Sequence, residues 1–343
     1  MVAAVFAATP FLLPDVAERL SVDLGTTGLM STAQVGSFAI ASFLAGRLFR
    51  PRRRLHYGSL ALVGLATLAS AIAPNFAFLL GTRVIAGLGL GTLTWIAWAD
   101  ATRFSRGIGE VAAIAPLTAT LGSPLLGWLT QHGGYPWVFT ALGILALVAT
   151  LLPVDFGELP RVGRSVSSSH SNRVLLAALL ALSLGGSSVF VFTGAAAQQI
   201  HGLSPLALSW AFSINALTGV AATRSNAKLG RAGLWMMGTA VAAIVVGTVS
   251  SATLFFLAMA LWGYAFWMGI PAVFALLAAK SNTPSERVGD AQAAMAVGRV
   301  FGPVMGGIAL GAGQFALLSW VGAGVMATSA LVVGAVERYR LKG

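Results

Sequence analysis

Residues 45–54 read AGRLFRPRRR, five arginines packed into the stretch from Arg47 to Arg54. An apolar run over 28–49 leads into them, and a second run over 57–74 follows. About 20 apolar residues cross the hydrocarbon core as a helix. A cationic turn between two such runs therefore belongs at a membrane surface. The same reading, carried in both directions, gives twelve runs: 1–20, 28–49, 57–74, 77–99, 108–130, 135–153, 174–197, 204–223, 232–250, 253–279, 290–312 and 315–335. Composition agrees. Of 343 residues, 57% are hydrophobic and only 9% charged, with a mean hydropathy of +0.84. Soluble proteins carry about 25% charged residues. An ordinary soluble globule is excluded, and so is a disordered chain, which needs low hydrophobicity. The expected class is an all-α polytopic membrane protein with 12 transmembrane helices.

The net charge of +11 and pI near 11.4 would ordinarily point to nucleic acid. The positions of the cations argue otherwise. Those of 47–54 follow run 2; Arg103 and Arg106 follow run 4; Arg161, Arg164 and Arg173 follow run 6. Arg224, Lys228 and Arg231 follow run 8, Lys280 and Arg287 run 10, and Arg338, Arg340 and Lys342 run 12. The odd connections hold only Arg19. The positive-inside rule then puts both termini in the cytoplasm. Nucleic acid is not an expected partner; membrane lipid is. The first run starts at Met1 without a basic lead and reads as a retained helix rather than a signal peptide. The Arg-over-Lys composition fits a bacterial inner membrane.

The chain repeats. ATRSNAKLGR at 222–231 echoes AGRLFRPRRR at an offset of 177, matching Arg47 to Arg224 and Arg54 to Arg231. GPVMG at 302–306 echoes SPLLG at 123–127 at an offset of 179. Between the halves, VDFGELPRVGRSVSSSHSNR at 154–173 is the longest polar stretch and reads as a cytoplasmic linker. The expected organisation is an N-terminal six-helix bundle over 1–153, the linker, a pseudo-symmetric C-terminal bundle over 174–336 and a short tail over 337–343. This is the parallel-repeat plan of a large class of secondary transporters.

With these features the sequence resembles the major facilitator superfamily over essentially its whole length. The turn after run 2 resembles that family's cytoplasmic gating loop through Gly46, Arg47, Arg50 and Arg54. The family's acid is missing; Arg50 or Pro51 stands in its place. In run 4, LLGTRVIAGLGLG resembles the Arg-then-Gly motif of drug and sugar efflux members through Arg83, Gly87, Gly89 and Gly91. In run 5, Gly122, Pro124 and Gly127 resemble the antiporter motif, with Ser123 breaking its Gly-Pro pair. Residues 11–48 are similar to helices 1 and 2 of arabinose-efflux-permease-like and drug:proton antiporters. The resemblance implies the major facilitator fold, alternating access, and helices 1, 4, 7 and 10 lining a cavity.

Few residues in the runs carry chemistry. Arg83 sits about six residues into run 4, roughly 9 Å below the boundary at 1.5 Å per residue. A buried cation costs at least about 2.5 kcal/mol there and needs a partner or water. Asp15 is the acid at comparable depth, so an Asp15–Arg83 pair is expected, against a structural arginine bonded to helix carbonyls. Arg299 lies near the middle of run 11 and reads as an anion-binding residue or as a relay to Asp290 or backbone carbonyls. Trp95 and Trp98 in run 4, and Trp262, Tyr264 and Trp267 in run 10, are expected to line an aromatic cavity or to face lipid. Gly87, Gly91, Gly122, Pro124, Gly127, Gly302, Pro303 and Gly306 read as helix-packing positions.

No cysteine is present, no two histidines have metal-ligand spacing, and no Ser/His/Asp set is arguable. An enzyme, a metal site and a bound cofactor are not expected. The expected function is secondary active transport of a small organic solute, as efflux driven by the proton gradient. The alternative is a facilitator, exchanger or symporter of an organic anion that uses Arg83 and Arg299. A monomer is expected, with solute and lipid as its partners.

Overall fold

The computed structural model describes residues 2–49, 52–101, 107–154, 170–224, 231–279, 284–312 and 314–340. All regular structure among them is helical: α1 (Val2–Arg19), α2 (Leu24–Leu48), α3 (Arg53–Ala71), α4 (Phe76–Ala101), α5 (Gly107–Ala149), α6 (His170–Phe190), α7 (Thr193–His201), α8 (Pro205–Arg224), α9 (Ala232–Thr248), α10 (Ala252–Ala279), α11 (Pro284–Gly311) and α12 (Phe315–Arg340). Eight segments among the described residues are long and apolar enough to cross a membrane. Without water, a spanning backbone must satisfy its own N–H and C=O groups, which is why every apolar run has become helix.

Two helices depart from the expected run limits in an informative way. The fifth and sixth runs form one element, α5, broken at Gly134 with φ 66° and ψ −160°. A glycine reaches that left-handed region without a Cβ clash, so the chain reverses there without a loop. The seventh run is split instead: α6 stops at Phe190, and α7 restarts at Thr193 with the N–H of Ala196 bonded to the Phe192 carbonyl at 3.0 Å. Two expected boundaries are also corrected. Helix begins at His170 rather than 174, and α12 carries the expected tail as far as Arg340, because neither segment contains Pro or Gly. Residues 155–169 of the linker lie outside the described residues.

Packing partners sort the helices. Within the first half, α2 packs on α4, α3 on α4 and α5, and α1 on α5. Within the second, α6 packs on α11 and α12, α9 on α10 and α12, and α8 on α10. Between the halves, α2 meets α11, α5 meets α8, and α1 meets α7. At the end that carries the even connections, Tyr57 Oη donates to the Leu152 carbonyl at 3.0 Å and ties α3 to the end of α5. In the second half, Glu337 of α12 accepts from the backbone N–H of Arg231 at 3.0 Å and of Ala232 at 2.7 Å. The start of α9 is thereby capped by a carboxylate, which the helix dipole favours.

Candidate functional site

Arg83 is fully buried. It extends from α4 into a pocket made by α2, α3 and the second limb of α5. Its guanidinium donates to Ser70 Oγ at 2.6 Å, to Gln34 Oε1 at 3.3 Å and to the Ala66 carbonyl at 3.4 Å. Its ζ carbon stands 4.4 Å from the centroid of the Phe139 ring, close enough for a cation–π contact. Ser70 Oγ in turn shares a 2.7 Å hydrogen bond with Thr82 Oγ1.

The expected Asp15–Arg83 pair is not formed. Asp15 accepts from Arg19 Nε at 2.8 Å and from the Tyr135 N–H at 2.6 Å. The reason is local. The break at Gly134 starts a new helical limb, and its first N–H groups have no intrahelical acceptor. A carboxylate is a strong partner for such a group, and Arg19 sits one turn along the same helix face. The hydrogen bond to Asp15 also raises the pKa of the exposed Arg19.

Among the described residues, the halves touch backbone to backbone at the end carrying the odd connections. There Gly25 of α2 lies backbone to backbone against Gly307 of α11, and Gly194 of α7 lies against the Pro10 carbonyl of α1. Further in, Thr32 Oγ1 donates to the Val300 carbonyl at 2.9 Å, and Ser213 Oγ donates to the Thr120 carbonyl at 2.9 Å. These two bonds are repeat equivalents: each joins the second helix of one half to the fifth of the other.

Beneath this seal an aromatic chain crosses between the halves. Phe11 of α1 stands 4.9 Å from Phe212 of α8, which stands 5.3 Å from Phe190, which stands 5.5 Å from Trp262 of α10. Phe11 and Phe212 are buried. Of these rings only Trp262 was expected at a site. The others sit in long apolar runs where no pattern distinguishes a central ring from a core ring.

Arg299 is exposed. On α11, Val297, Phe301 and Ile308 form the outward face, being 44%, 59% and 74% exposed. Gly298 and Gly302 lie against α6, and Val300 lies against α2. At 100° per residue Arg299 points opposite the outward face, between the α6 and α2 contacts. It shares that stripe with Gln292, which is also exposed. Arg299 is thus turned toward the space between the halves, whereas Arg83 is enclosed within the first.

The other expected residues divide. Trp267 lies against Gly219 of α8, and the Tyr264 ring stands 5.6 Å from that of Trp235, so both pack between helices. Trp95 is half-buried. Gly87 and Gly91 face α2 at Ser37, Gln34 and Phe38, so the Arg83-Gly87-Gly91 face of α4 is a packing face and not a cavity wall. Gly127 approaches Ser209 and the Pro205 carbonyl, while Gly302 and Gly306 approach α6. Gly122 is a correction: a Cβ there would meet nothing within 4 Å, so it is no packing contact among the described residues. Pro124 and Pro303 lie inside α5 and α11. In the loop, Arg54 is exposed; Arg50 and the side chains of Gly46, Arg47, Trp98 and Arg224 lie outside the described residues. Arg231 precedes α9 with a left-handed φ of 84°.

Known proteins share this fold. Residues 1–307 match the Major Facilitator Superfamily. The chain is 27% identical over 340 residues to a chloramphenicol resistance protein of Streptomyces lividans, covering 88% of this chain and 84% of that one. It is 33% identical over 174 residues to a multidrug resistance protein B homolog of Mycobacterium tuberculosis, covering 47% of this chain and 31% of that one. The chain thus spans about a third of the length of that relative. Among solved structures, a bacterial homolog of the human lysosomal transporter Spinster, inward-facing and occupied, superposes with a TM-score of 0.71 at 15% identity over 98% of this chain and 94% of that one. The human organic anion transporter MFSD10 superposes with a TM-score of 0.67 at 16% identity over 97% and 96%. The match across residues 1–307, on a fold these structures share, places the chain in the Major Facilitator Superfamily.

Proposed function

We propose that the chain is a secondary transporter that exports a small amphipathic organic solute, with the proton gradient as energy source. Twelve spans form two six-helix bundles, over 1–153 and 174–336, with both termini in the cytoplasm of a bacterial inner membrane. The bundles rock about the solute in alternating access. The observation that carries this reading is the interface between the halves: sealed at the odd-connection end, crossed below the seal by Phe11, Phe212, Phe190 and Trp262, and walled by Arg299. Rings at this spacing suit the flat apolar face of a solute. The names of the resistance-protein relatives support efflux.

Arg299 favours a second reading, in which the solute is an organic anion. A cation at mid-membrane depth is costly unless paired or hydrated, and an anionic solute would pair it. The organic anion transporter among the structural neighbours points the same way. Arg83 no longer supports this reading, since its guanidinium is enclosed away from the space between the halves.

Uptake into proteoliposomes under an imposed pH gradient, with chloramphenicol, a lipophilic cation and an aromatic carboxylate as solutes, tests both. Efflux antiport predicts gradient-dependent uptake of the cation or of chloramphenicol that a protonophore abolishes, with Arg299→Gln leaving it largely intact. Carboxylate uptake that falls at least about tenfold in Arg299→Gln, the loss of one charge-assisted contact, selects the anion reading. No uptake of any of the three would sink the aromatic-solute assignment.

A further inference from the structure

A groove of about 390 Å³ opens between α2, α3 and α4 at the even-connection end of the first half. Its walls are Leu44 and Leu48 of α2, Leu55 and Leu62 of α3, and Leu88 of α4, with Arg54 at the mouth. Leu44, Leu48 and Leu62 are 41%, 66% and 41% exposed, so the groove is open to the outside of the molecule. The Thr92 hydroxyl on its lining is spent on the Leu88 carbonyl of its own helix, at 3.0 Å. From Arg54 to Leu62 the groove follows α3 for about 12 Å at 1.5 Å per residue.

Gly58 makes the hollow. It lies on the lining, and a Cβ there would meet nothing within 4 Å. The internal repeat offers a contrast. At the offset of 177 that matches Arg54 to Arg231, Gly58 corresponds to Trp235, whose ring packs on Tyr264 at 5.6 Å. The second half keeps the cation and fills the hollow; the first half keeps both cation and hollow. The mouth is also cationic. Arg54 lines it, and Arg52 two residues before is exposed.

We propose that this groove holds one anionic phospholipid, with an acyl chain along the leucine wall over Gly58 and its phosphate at Arg54. A neutral lipid would bring Arg54 no counter-charge, and a soluble anion would leave the apolar wall unused. The lipid bridges the two helices joined by the arginine-rich turn. The proposal rests on the chain lying in a membrane and not on what it carries, so the transport assay can fail while this stands.

Native mass spectrometry of the full chain in detergent, titrated with dioleoylphosphatidylglycerol or dioleoylphosphatidylcholine, tests it. The wild type is expected to bind the glycerol lipid about fivefold more tightly, the effect of one arginine near a lipid headgroup. Arg54→Gln is expected to remove that preference. A Cβ at 58 meets nothing within 4 Å, so Gly58→Leu should fill the hollow and weaken both lipids at least about fivefold by the same conversion, with the melting temperature unchanged. Should Gly58→Leu destabilise the fold, Leu62→Trp narrows the groove from its rim and must give the same loss. Equal affinity for the two lipids in the wild type, or full binding in both groove-filling variants, overturns the proposal.

Discussion

Arg83 shows how a single buried charge can hold helices together. Its donors reach α2 and α3, and the Phe139 ring of α5 covers its face, so one side chain joins four helical segments. Removing it leaves Gln34 Oε1 without its donor and opens a cavity. Arg83→Ala is expected to lower stability by about 3 kcal/mol, combining an unsatisfied polar group with lost packing. A denaturant titration in micelles would measure it. Arg83→Met keeps most of the volume and should regain much of that loss, since buried charges are often replaceable by apolar groups. Transport by a well-folded Arg83→Met protein then separates the roles: normal rates mean the arginine is a strut, and lost rates mean its charge is used.

The reversal at Gly134 gives a different lesson, about helices and their ends. A left-handed glycine ends one limb of α5, and the N–H of Tyr135, without an acceptor in its own helix, is taken by Asp15 of α1. Any Cβ at 134 would be strained by φ and would also meet Asp15 Oδ1 at 2.7 Å. Gly134→Ala is expected to cost about 1–2 kcal/mol from the backbone alone. Asp15→Ala removes the acceptor and should cost about 1–3 kcal/mol. Because the two act on one contact, the double variant should cost less than both singles added together. Strict additivity in thermal unfolding would show that Asp15 does not hold the reversal.

For the molecule as a whole, the seal at the odd-connection end makes a directional prediction. The chain has no cysteine, so introduced cysteines can be spin-labelled cleanly. Glu18 and Ser204 are exposed at the sealed end, and Ala97 and Ala279 are exposed near the opposite ends of α4 and α10. During rocking of two rigid halves, these two distances must change in opposite senses when solute and a pH gradient are added. Double electron–electron resonance would read both. Distances that move together, or that stay fixed during active transport, would rule out rocking about the central aromatic crossing.

Much of this was legible in the one-dimensional pattern. Apolar runs became helices, and the repeat reappears in space as the paired bonds Thr32–Val300 and Ser213–Thr120, at offsets of 181 and 180 residues. These features depend on local composition: a run partitions into lipid according to its own side chains, and arginines mark its flank wherever it folds. The candidate site was less legible. Arg83 and Arg299 stood out because any mid-membrane cation does, yet their surroundings were not readable. Which face of α4 meets α2, which rings of α1, α8, α6 and α10 converge, and which carboxylate finds Tyr135 all depend on how helices rotate and cross. So does the hollow at Gly58, which in sequence is one glycine among 41. Sequence set the spans, their flanking charge and their repetition, because those follow from partition of each segment between water and lipid. The enclosure of Arg83, the turn of Arg299 toward the space between the halves and the aromatic crossing came from packing, because contacts between segments distant in the chain are fixed only when the helices are assembled.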